Sequence, residues 1–331
     1  MDFSVGLYVA LLLILAAEFV NGWTDAPNAI ATVVSTKTLS PRLAVLLATL
    51  LNIAGAFYGK AVAVTIGKNI VRPEAIDLIT VSAAMIAIVL WSTTAWYFEI
   101  PTSESHALIA GLSGAALAVA GPSSLLWAGW SKAMIGLFFS TVLGCLGGWV
   151  LAKFVQLVFA GFSPAPTRKG FGLAQIFSSM LMAFSHGSND GQKFMGAFAL
   201  ALLLGGATDS FALPFWVIIL CALVMGAGTS LGGMRIIKTM GFKIAKNMET
   251  YQGFSAEAAA SATILAASSF GIPLSTTHTI NTSIVGVGLA RGKSAVDWDM
   301  VLKVVAAWIL TFPACGLIAF ISAKLLYLFF R

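Results

Sequence analysis

Long apolar stretches, broken by short polar segments rich in glycine, proline, serine or threonine, cover most of this chain. They run over residues 3–20, 43–66, 78–98, 125–161, 173–183, 194–206, 213–234, 256–270 and 300–330. A helix needs about 20 apolar residues to cross a hydrocarbon core about 30 Å thick, and the stretches at 125–161 and 300–330 suffice for one tilted helix or two. The pattern predicts an all-α polytopic membrane protein with about 10 to 12 membrane segments.

Two polar motifs occur twice, in the same order. The pattern Pro-x-Ser-x-Ser/Thr-His occupies residues 101–106 and returns at 273–278, 172 positions later. The pattern Gly-x-x-Asp occupies residues 22–25 and returns at 187–190, 165 positions later. We therefore divide the chain into a first membrane repeat (1–162), a connector (163–170) and a second membrane repeat (171–331). Internal repeats with interrupted apolar segments at matching positions indicate a transport site between the halves.

The direction of the second repeat depends on how often the first one crosses the membrane. An odd number of crossings makes the repeats inverted, and an even number makes them parallel. Basic residues gather in the connections, among them Arg168 and Lys169, and the positive-inside rule then places the connector in the cytoplasm. We expect inverted repeats, each with broken transmembrane helices and a re-entrant hairpin.

Composition supports a lipid environment for most of the chain. Of its 331 residues, 59% are hydrophobic and 10% are charged, and the mean hydropathy is +0.93. The formal net charge of +6 comes from residues in connections, so nucleic-acid binding is not indicated. The three cysteines lie in apolar runs without ligand spacing, which indicates neither a disulfide framework nor a metal cluster. No cofactor is predicted.

The Pro-x-Ser-x-Ser/Thr-His motifs have the composition of an anion site. Each precedes an apolar stretch too short to cross a bilayer (107–120 and 279–290), so each is expected at the tip of a re-entrant hairpin. A proline followed by serine or threonine favours a helix start, whose free N–H groups bind anions. Two facing tips would enclose a tetrahedral oxyanion; the alternative is that the hydroxyls only cap the helices. The predicted substrate-binding residues are Ser103, Ser105, Ser275, Thr276 and Thr277.

The Gly-x-x-Asp motifs have the composition of a cation site. Glycine and proline next to the acidic residues predict broken helices, whose free carbonyl groups join carboxylate and amide oxygens in the hard shell that an alkali cation prefers. The alternative is that each carboxylate has a buried structural partner, such as Lys193 or a histidine. The predicted sodium-binding residues are Asp25, Asn28, Asn189 and Asp190.

Other ionisable residues within apolar sequence are functional candidates because charge is costly at membrane depth. Glu104, which has no acidic counterpart in the second copy, is read as a gate or a proton-sensitive group. Glu257 is read as a charge at a helix start. The roles of His106, His186 and His278 stay open.

These motifs resemble the inorganic phosphate transporter family, which includes sodium-dependent phosphate symporters. The resemblance rests on residues 22–29, on 186–191 and on the two motifs at 101–106 and 273–278. It implies an inverted-repeat fold with two re-entrant hairpins, a phosphate site at the repeat interface, adjacent cation sites and a homodimer. The chain departs from the family pattern at Thr24 and at Lys193, where the family has asparagine.

The predicted function is uptake of inorganic phosphate coupled to inward sodium movement, by alternating access, in the plasma (inner) membrane of the cell. Amide oxygens beside the carboxylates favour sodium, whereas the histidines and Glu104 would serve a proton pathway. Proton-coupled phosphate or metal-phosphate symport, sulfate transport and an anion channel stay open. An enzyme is not expected: an intramembrane hydrolase is a remote alternative, because the hydroxyl clusters are duplicated symmetrically and the sequence has no His-Glu-x-x-His motif.

Overall fold

The computed structural model describes residues 4–330. The chain is 82% helical, and the described residues form no strand, which confirms the all-α prediction. Residues 1–3 and 331, at the outer ends of the two predicted repeats, lie outside the described part. Several helices begin where a serine or aspartate side chain accepts a first-turn N–H group, as Ser40 and Asp77 do.

Each half contains five helical segments in the same order. In the first half they are α1 (Val5–Asp25) with α2 (Pro27–Ser35), α3 (Pro41–Ala56) with α4 (Ala61–Asn69), α5 (Leu78–Tyr97), α6 (Glu104–Ala120) and α7 (Trp127–Val158). In the second half they are α8 (Pro164–His186) with α9 (Gln192–Leu204), α10 (Phe215–Ser230) with α11 (Met234–Lys238), α12 (Thr250–Ser269), α13 (Thr276–Arg291) and α14 (Trp298–Phe330). The internal repeat is thus a structural repeat.

Finer features recur at matching places. The second segment is bent in both halves, by 69° between α3 and α4 and by 60° where α10 is followed by Met234–Lys243. A 3₁₀ turn before the last helix is Pro122–Ser124 in one half and Lys293–Ala295 in the other. The prediction of broken helices in each half is confirmed.

The relative direction of α3 and α10, equivalent helices that pack on each other, identifies the repeat as inverted. Ile53 of α3 lies against Gly226 of α10, while Val45 lies against Gly232, just beyond the end of α10. Residue numbers rise along one helix as they fall along the other, so the two helices are antiparallel. Inverted repeats produce this arrangement, and the prediction of inversion is confirmed.

Helix length and composition by themselves identify four membrane spans in the described chain, or six if each bent pair is one span. The other segments are shorter or more polar, and counting all ten segments gives the lower end of the predicted range. The stretches at 125–161 and 300–330 each form a single helix, of 32 and 33 residues. At about 1.5 Å per residue these helices exceed the bilayer core, so they must tilt.

The hairpins α5–α6 and α12–α13 turn at residues 98–103 and 270–275, and the ends of these turns that lead into α6 and α13, residues 101–103 and 273–275, are buried. The inner arms α6 and α13 are buried along most of their length. Each inner arm packs against a long helix of the other half, α6 against α14 and α13 against α7. Because each inner arm packs on the other half, the two tips come together in the interior of the protein.

The connector is more helical than its prolines suggest. Pro164 occupies the first position of α8, where a proline costs no intrahelical hydrogen bond, so residues 164–170 form the exposed first turns of that helix. The irregular link between the halves is confined to residues 159–163. Its cytoplasmic location stays a prediction.

Candidate substrate and cation site

The two Gly-x-x-Asp motifs do not break their helices as expected. Ala26, between α1 and α2, keeps helical dihedral angles (φ −46°, ψ −40°). In the second half the motif forms a π-helical turn, Gly187–Gly191, between α8 and α9. The expected unwinding of these motifs was therefore wrong; the sharp bends lie in the neighbouring segments instead.

The repeated glycines have a packing role. A β-carbon on Gly22 would lie 2.2 Å from the carbonyl oxygen of Met225, and one on Gly187 would lie 2.1 Å from that of Asn52. Each glycine therefore lets a motif helix approach the bent segment of the other half at backbone distance. This contact carries Asp25 and Asp190, three residues further along each chain segment, into the centre.

His186 lies between the two carboxylates. Its Nε2 atom is 3.5 Å from Asp190 Oδ2 and 4.0 Å from Asp25 Oδ2, and its Nδ1 atom is 3.0 Å from Asn52 Oδ1. Asp25, His186 and Asp190 are buried, and their ligand atoms lie within 4.8 Å of one another, a geometry that could hold a cation. Sequence reasoning left the role of His186 open, although its place beside the motif was a usable signal.

The second hairpin tip supplies hydroxyl groups to this centre. Thr277 donates to Asp25 Oδ2 at 3.2 Å, and Thr276 donates to Asp190 Oδ2 at 3.1 Å. The Asn28 amide donates to the Thr277 hydroxyl at 3.0 Å. Members of both predicted residue sets, hydroxyl and acidic, therefore meet in one buried cluster.

The first tip joins the same cluster through Ser105. Its hydroxyl donates to the Leu274 carbonyl at 2.7 Å and accepts from Lys193 Nζ at 2.6 Å. Because Ser105 and Leu274 belong to opposite hairpins, this bond connects the two tips directly. The N-termini of α6 and α13, with their first-turn N–H groups, therefore lie close to each other.

Ser103 and Ser275 are the N-cap residues of these two helices. Their hydroxyl oxygens accept the backbone N–H groups of His106 at 3.3 Å and His278 at 3.1 Å. This is the capping role that the sequence left open for the hydroxyl cluster. The capping bonds fix the conformation of the two tips. The backbone N–H groups before His106 and before His278 stay directed out of the ends of α6 and α13.

Asn189 points away from the two carboxylates. Its amide nitrogen donates to Ser268 Oγ at 2.9 Å and to the Ile272 carbonyl at 3.3 Å, near the second tip. Its Oδ1 atom is buried and accepts no hydrogen bond from the described residues. In the first half the equivalent residue, Thr24, donates to Glu104 Oε1 at 3.1 Å. The predicted cation ligands thus fall at two places, with Asn189 separate from the Asp25–Asp190 cluster.

Lys193 lies fully buried at the centre. Its Nζ atom is 2.5 Å from Asp190 Oδ1, so Asp190 has the buried lysine partner that the sequence offered as an alternative. The signal for this pair was the departure of Lys193 from the repeat, since Asn28 stands 165 positions earlier. Charge at the centre is therefore distributed unequally between the two halves.

Glu257 is not at a helix start, and that expectation was wrong. It lies in the second turn of α12, fully buried, and accepts hydrogen bonds from the hydroxyls of Thr32 and Ser178 and from the Gln175 amide. Its partners come from α2 and α8, so the carboxylate joins three helices from both halves. Sequence position alone could not distinguish a helix start at 250 from one at 256.

His106 and His278, in the first turns of α6 and α13, contact each other. Their ring centroids are 4.4 Å apart, and the His278 ring stacks on Trp308 at 3.7 Å. His106 Nδ1 lies 3.2 Å from the Trp308 carbonyl oxygen. These contacts place the two histidines against α14.

Comparison with known proteins agrees with this architecture. The sequence profile described as "Phosphate transporter family" matches residues 21–319. A "Probable low-affinity inorganic phosphate transporter" of Rhizobium meliloti (strain 1021) is 42% identical over 316 residues, 95% of this chain and 94% of the relative. A protein of the same description from Bacillus subtilis (strain 168) is 38% identical over 334 residues, the full length of both chains.

One solved structure is similar along nearly the whole fold. It is titled "The sodium-dependent phosphate transporter" and superposes with a TM-score of 0.88, covering 98% of this chain and 100% of its own. Sequence identity to it is 24%, so this likeness supports the fold and no more.

Proposed function

Because this chain belongs to the phosphate transporter family and is an integral protein of the cell membrane, we propose that it couples uptake of inorganic phosphate to inward sodium movement by alternating access. Its relatives are transporters and not enzymes, which removes the intramembrane hydrolase from consideration.

The observation that carries the proposal is the meeting of hydroxyls and carboxylates in one buried cluster. Thr276, Thr277 and Ser105 come from the two hairpin tips, and Asp25 and Asp190 come from the two motif helices. Hydroxyl and helix N-terminal N–H donors suit a tetrahedral phosphate, while carboxylates suit a cation. One site with both sets of groups is adapted to bind an anion and a cation together.

Electrostatics requires a cation beside the phosphate. Two unit negative charges roughly 8 Å apart repel by about 2 kcal/mol at an effective dielectric constant of about 20. Moving a negative charge inward against the membrane potential costs about 2.3 kcal/mol per 100 mV. Sodium bound near Asp25 and Asn28 offsets both costs, and Asn189 Oδ1, which accepts no hydrogen bond from the described residues, would serve a separate cation position.

The inverted repeat offers a way to alternate access. Each inner hairpin arm packs on a long helix of the other half. A rocking motion of one part of the repeat structure against the rest would expose the tips first to one side of the membrane and then to the other. The Ser105–Leu274 bond between tips is the contact that such a motion must break and remake.

Radiolabelled phosphate uptake into proteoliposomes tests the proposal. We expect uptake to be driven by an inward sodium gradient, absent without a cation gradient, and insensitive to excess sulfate. Uptake driven only by an inward proton gradient would overturn the choice of sodium in favour of His186 or Glu104 as proton carriers. Inhibition by sulfate would overturn the choice of substrate.

A further inference from the structure

The two halves of the site differ in fixed charge, and the difference lies at Lys193. The side chain is fully buried, and its ammonium group contacts Asp190 Oδ1 at 2.5 Å and Ser105 Oγ at 2.6 Å. A buried ammonium group that touches an acidic residue and a tip hydroxyl at once lies between the predicted cation ligands and the predicted phosphate ligands. It is therefore part of the site.

The repeat shows what stands in its place in the other half. The residue 165 positions before Lys193 is Asn28, which follows Asp25 by three residues as Lys193 follows Asp190. Asn28 donates its amide to the hydroxyls of Thr276 and Thr277, at 3.4 and 3.0 Å. Asp25 therefore has a neutral neighbour where Asp190 has a cation.

From this asymmetry we propose that the ammonium group of Lys193 is a built-in cation that fills the place of one coupling ion at Asp190. The inference rests on the proposed cation-coupled uptake and specifies one of its binding positions. A carboxylate buried at membrane depth needs a positive partner, and Lys193 supplies one that stays attached to the protein. Free cations are then required only on the side of Asp25.

The built-in cation has two consequences for transport. Its charge returns with the empty protein in every cycle, so it neutralises Asp190 without being carried across the membrane. Its contact with Ser105 also holds a positive group beside the first hairpin tip, where a phosphate oxygen can replace the hydroxyl as its partner. Phosphate bound there is stabilised by a positive charge that belongs to the protein and is not transported.

The test is to replace the ammonium group by the residue of the other half, Lys193→Asn. If Asp190 then recruits a free ion, the variant binds one more sodium than the wild type. The slope of log phosphate affinity against log sodium concentration rises by about one, because each linked ion contributes one to that slope. Phosphate binding and ²²Na binding to the purified full-length protein at constant pH measure both quantities.

Two further variants keep the test decisive. Lys193→Asn combined with Asp190→Asn removes both charges, and its slope should return to that of the wild type. Lys132→Asn removes a different partly buried membrane lysine, which contacts Thr65 at 3.5 Å, and should leave the slope unchanged. A monodisperse elution profile of each variant in detergent establishes that it is folded.

The outcomes separate this inference from the proposed function. An equal slope and equal sodium count in Lys193→Asn and wild type would overturn the inference and leave Lys193 with a structural role only. The gain of sodium dependence is measured relative to the wild type, so it supports the inference whichever ion drives the wild type. A wild-type protein that neither binds nor transports phosphate would instead overturn the proposed function.

Discussion

Asp25 and Asp190 are equivalent residues of the two repeats, yet they have different surroundings. Both lie near His186, but Asp25 accepts from the Thr277 hydroxyl, whereas Asp190 accepts from Thr276 and pairs with Lys193. Since only Asp25 lacks a lysine partner among the described residues, its charge has the greater need of a free cation. Substitution of Asp25 is thus the sharpest single-residue test of coupling.

Asp25→Asn is expected to abolish sodium-driven phosphate uptake while the protein stays folded. Loss of a charged ligand costs roughly 1.5–3 kcal/mol, which corresponds to about a 10- to 150-fold loss of cation affinity. Uptake into proteoliposomes measures the effect. Asp209→Asn, at an exposed loop position, is the matched control. Undiminished sodium-driven uptake in Asp25→Asn would contradict the role given to this carboxylate.

The Thr277 hydroxyl contacts both the acidic residue and the amide of the first half. Thr277→Val keeps the shape of the side chain but removes the hydrogen bonds to Asp25 and from Asn28. We expect the KM for phosphate to rise about tenfold, equivalent to about 1.4 kcal/mol. Thr277→Ser retains the hydroxyl and should preserve the KM. Equal KM values for the valine and serine variants would show that the hydroxyl does not contribute.

At the scale of elements, close contact between helices positions the site. The turn at Gly187 rests on the backbone of α3 at Asn52, and Gly22 of α1 rests on α10 at Met225. His186, which directly precedes Gly187, is also hydrogen-bonded to Asn52. A side chain at either glycine would therefore move a carboxylate away from the hairpin tips as well as disturb the packing.

Gly187→Ala is expected to lower both stability and uptake. Its β-carbon would lie 2.1 Å from a backbone oxygen, and overpacking of this kind costs typically about 1–3 kcal/mol. The temperature of half-unfolding in detergent measures the loss. Gly172→Ala, in the preceding helix α8, is the control, because a β-carbon there meets no atom within 4 Å. A Gly187→Ala protein as stable and active as Gly172→Ala would show that α8 can move without consequence.

At the scale of the whole molecule, inversion decides which surfaces face which side of the membrane. The equivalent 3₁₀ turns Pro122–Ser124 and Lys293–Ala295 carry exposed serines, Ser123 and Ser294, at matching positions. In an inverted repeat these turns lie on opposite membrane faces, and in a parallel repeat they lie on the same face. The positive-inside rule assigns the turn at Lys293 to the cytoplasm.

Cysteine labelling tests this topology. Ser123→Cys should react with a membrane-impermeant maleimide in intact cells, and Ser294→Cys only in inside-out vesicles. The native cysteines provide a low background, since Cys221 and Cys315 are buried and Cys145 is half-buried. Labelling of both positions from the same side would contradict the inverted topology.

The sequence by itself determined the helical class, the repeat, the hairpin tips and the central acidic and hydroxyl residues. It could do so because apolar length and motif recurrence are local properties, readable without knowing any contact. The site assignments at Asp25, Asn28, Asn189 and Asp190 stay predictions, although the structure brings three of these residues into one cluster.

Only the tertiary structure decided which partners these residues have. The positions of His186 between two carboxylates, of Lys193 beside Asp190 and of Glu257 among helices of both halves depend on helix rotation and on packing between the halves. Thr32 and Glu257 are 225 residues apart, and Ser105 and Leu274 are 169 apart, so no local pattern could pair them. The motif glycines likewise allow close helix contact where the sequence suggested a helix break. A missing β-carbon permits both a break and a close contact, and which of them forms depends on the helix that packs there.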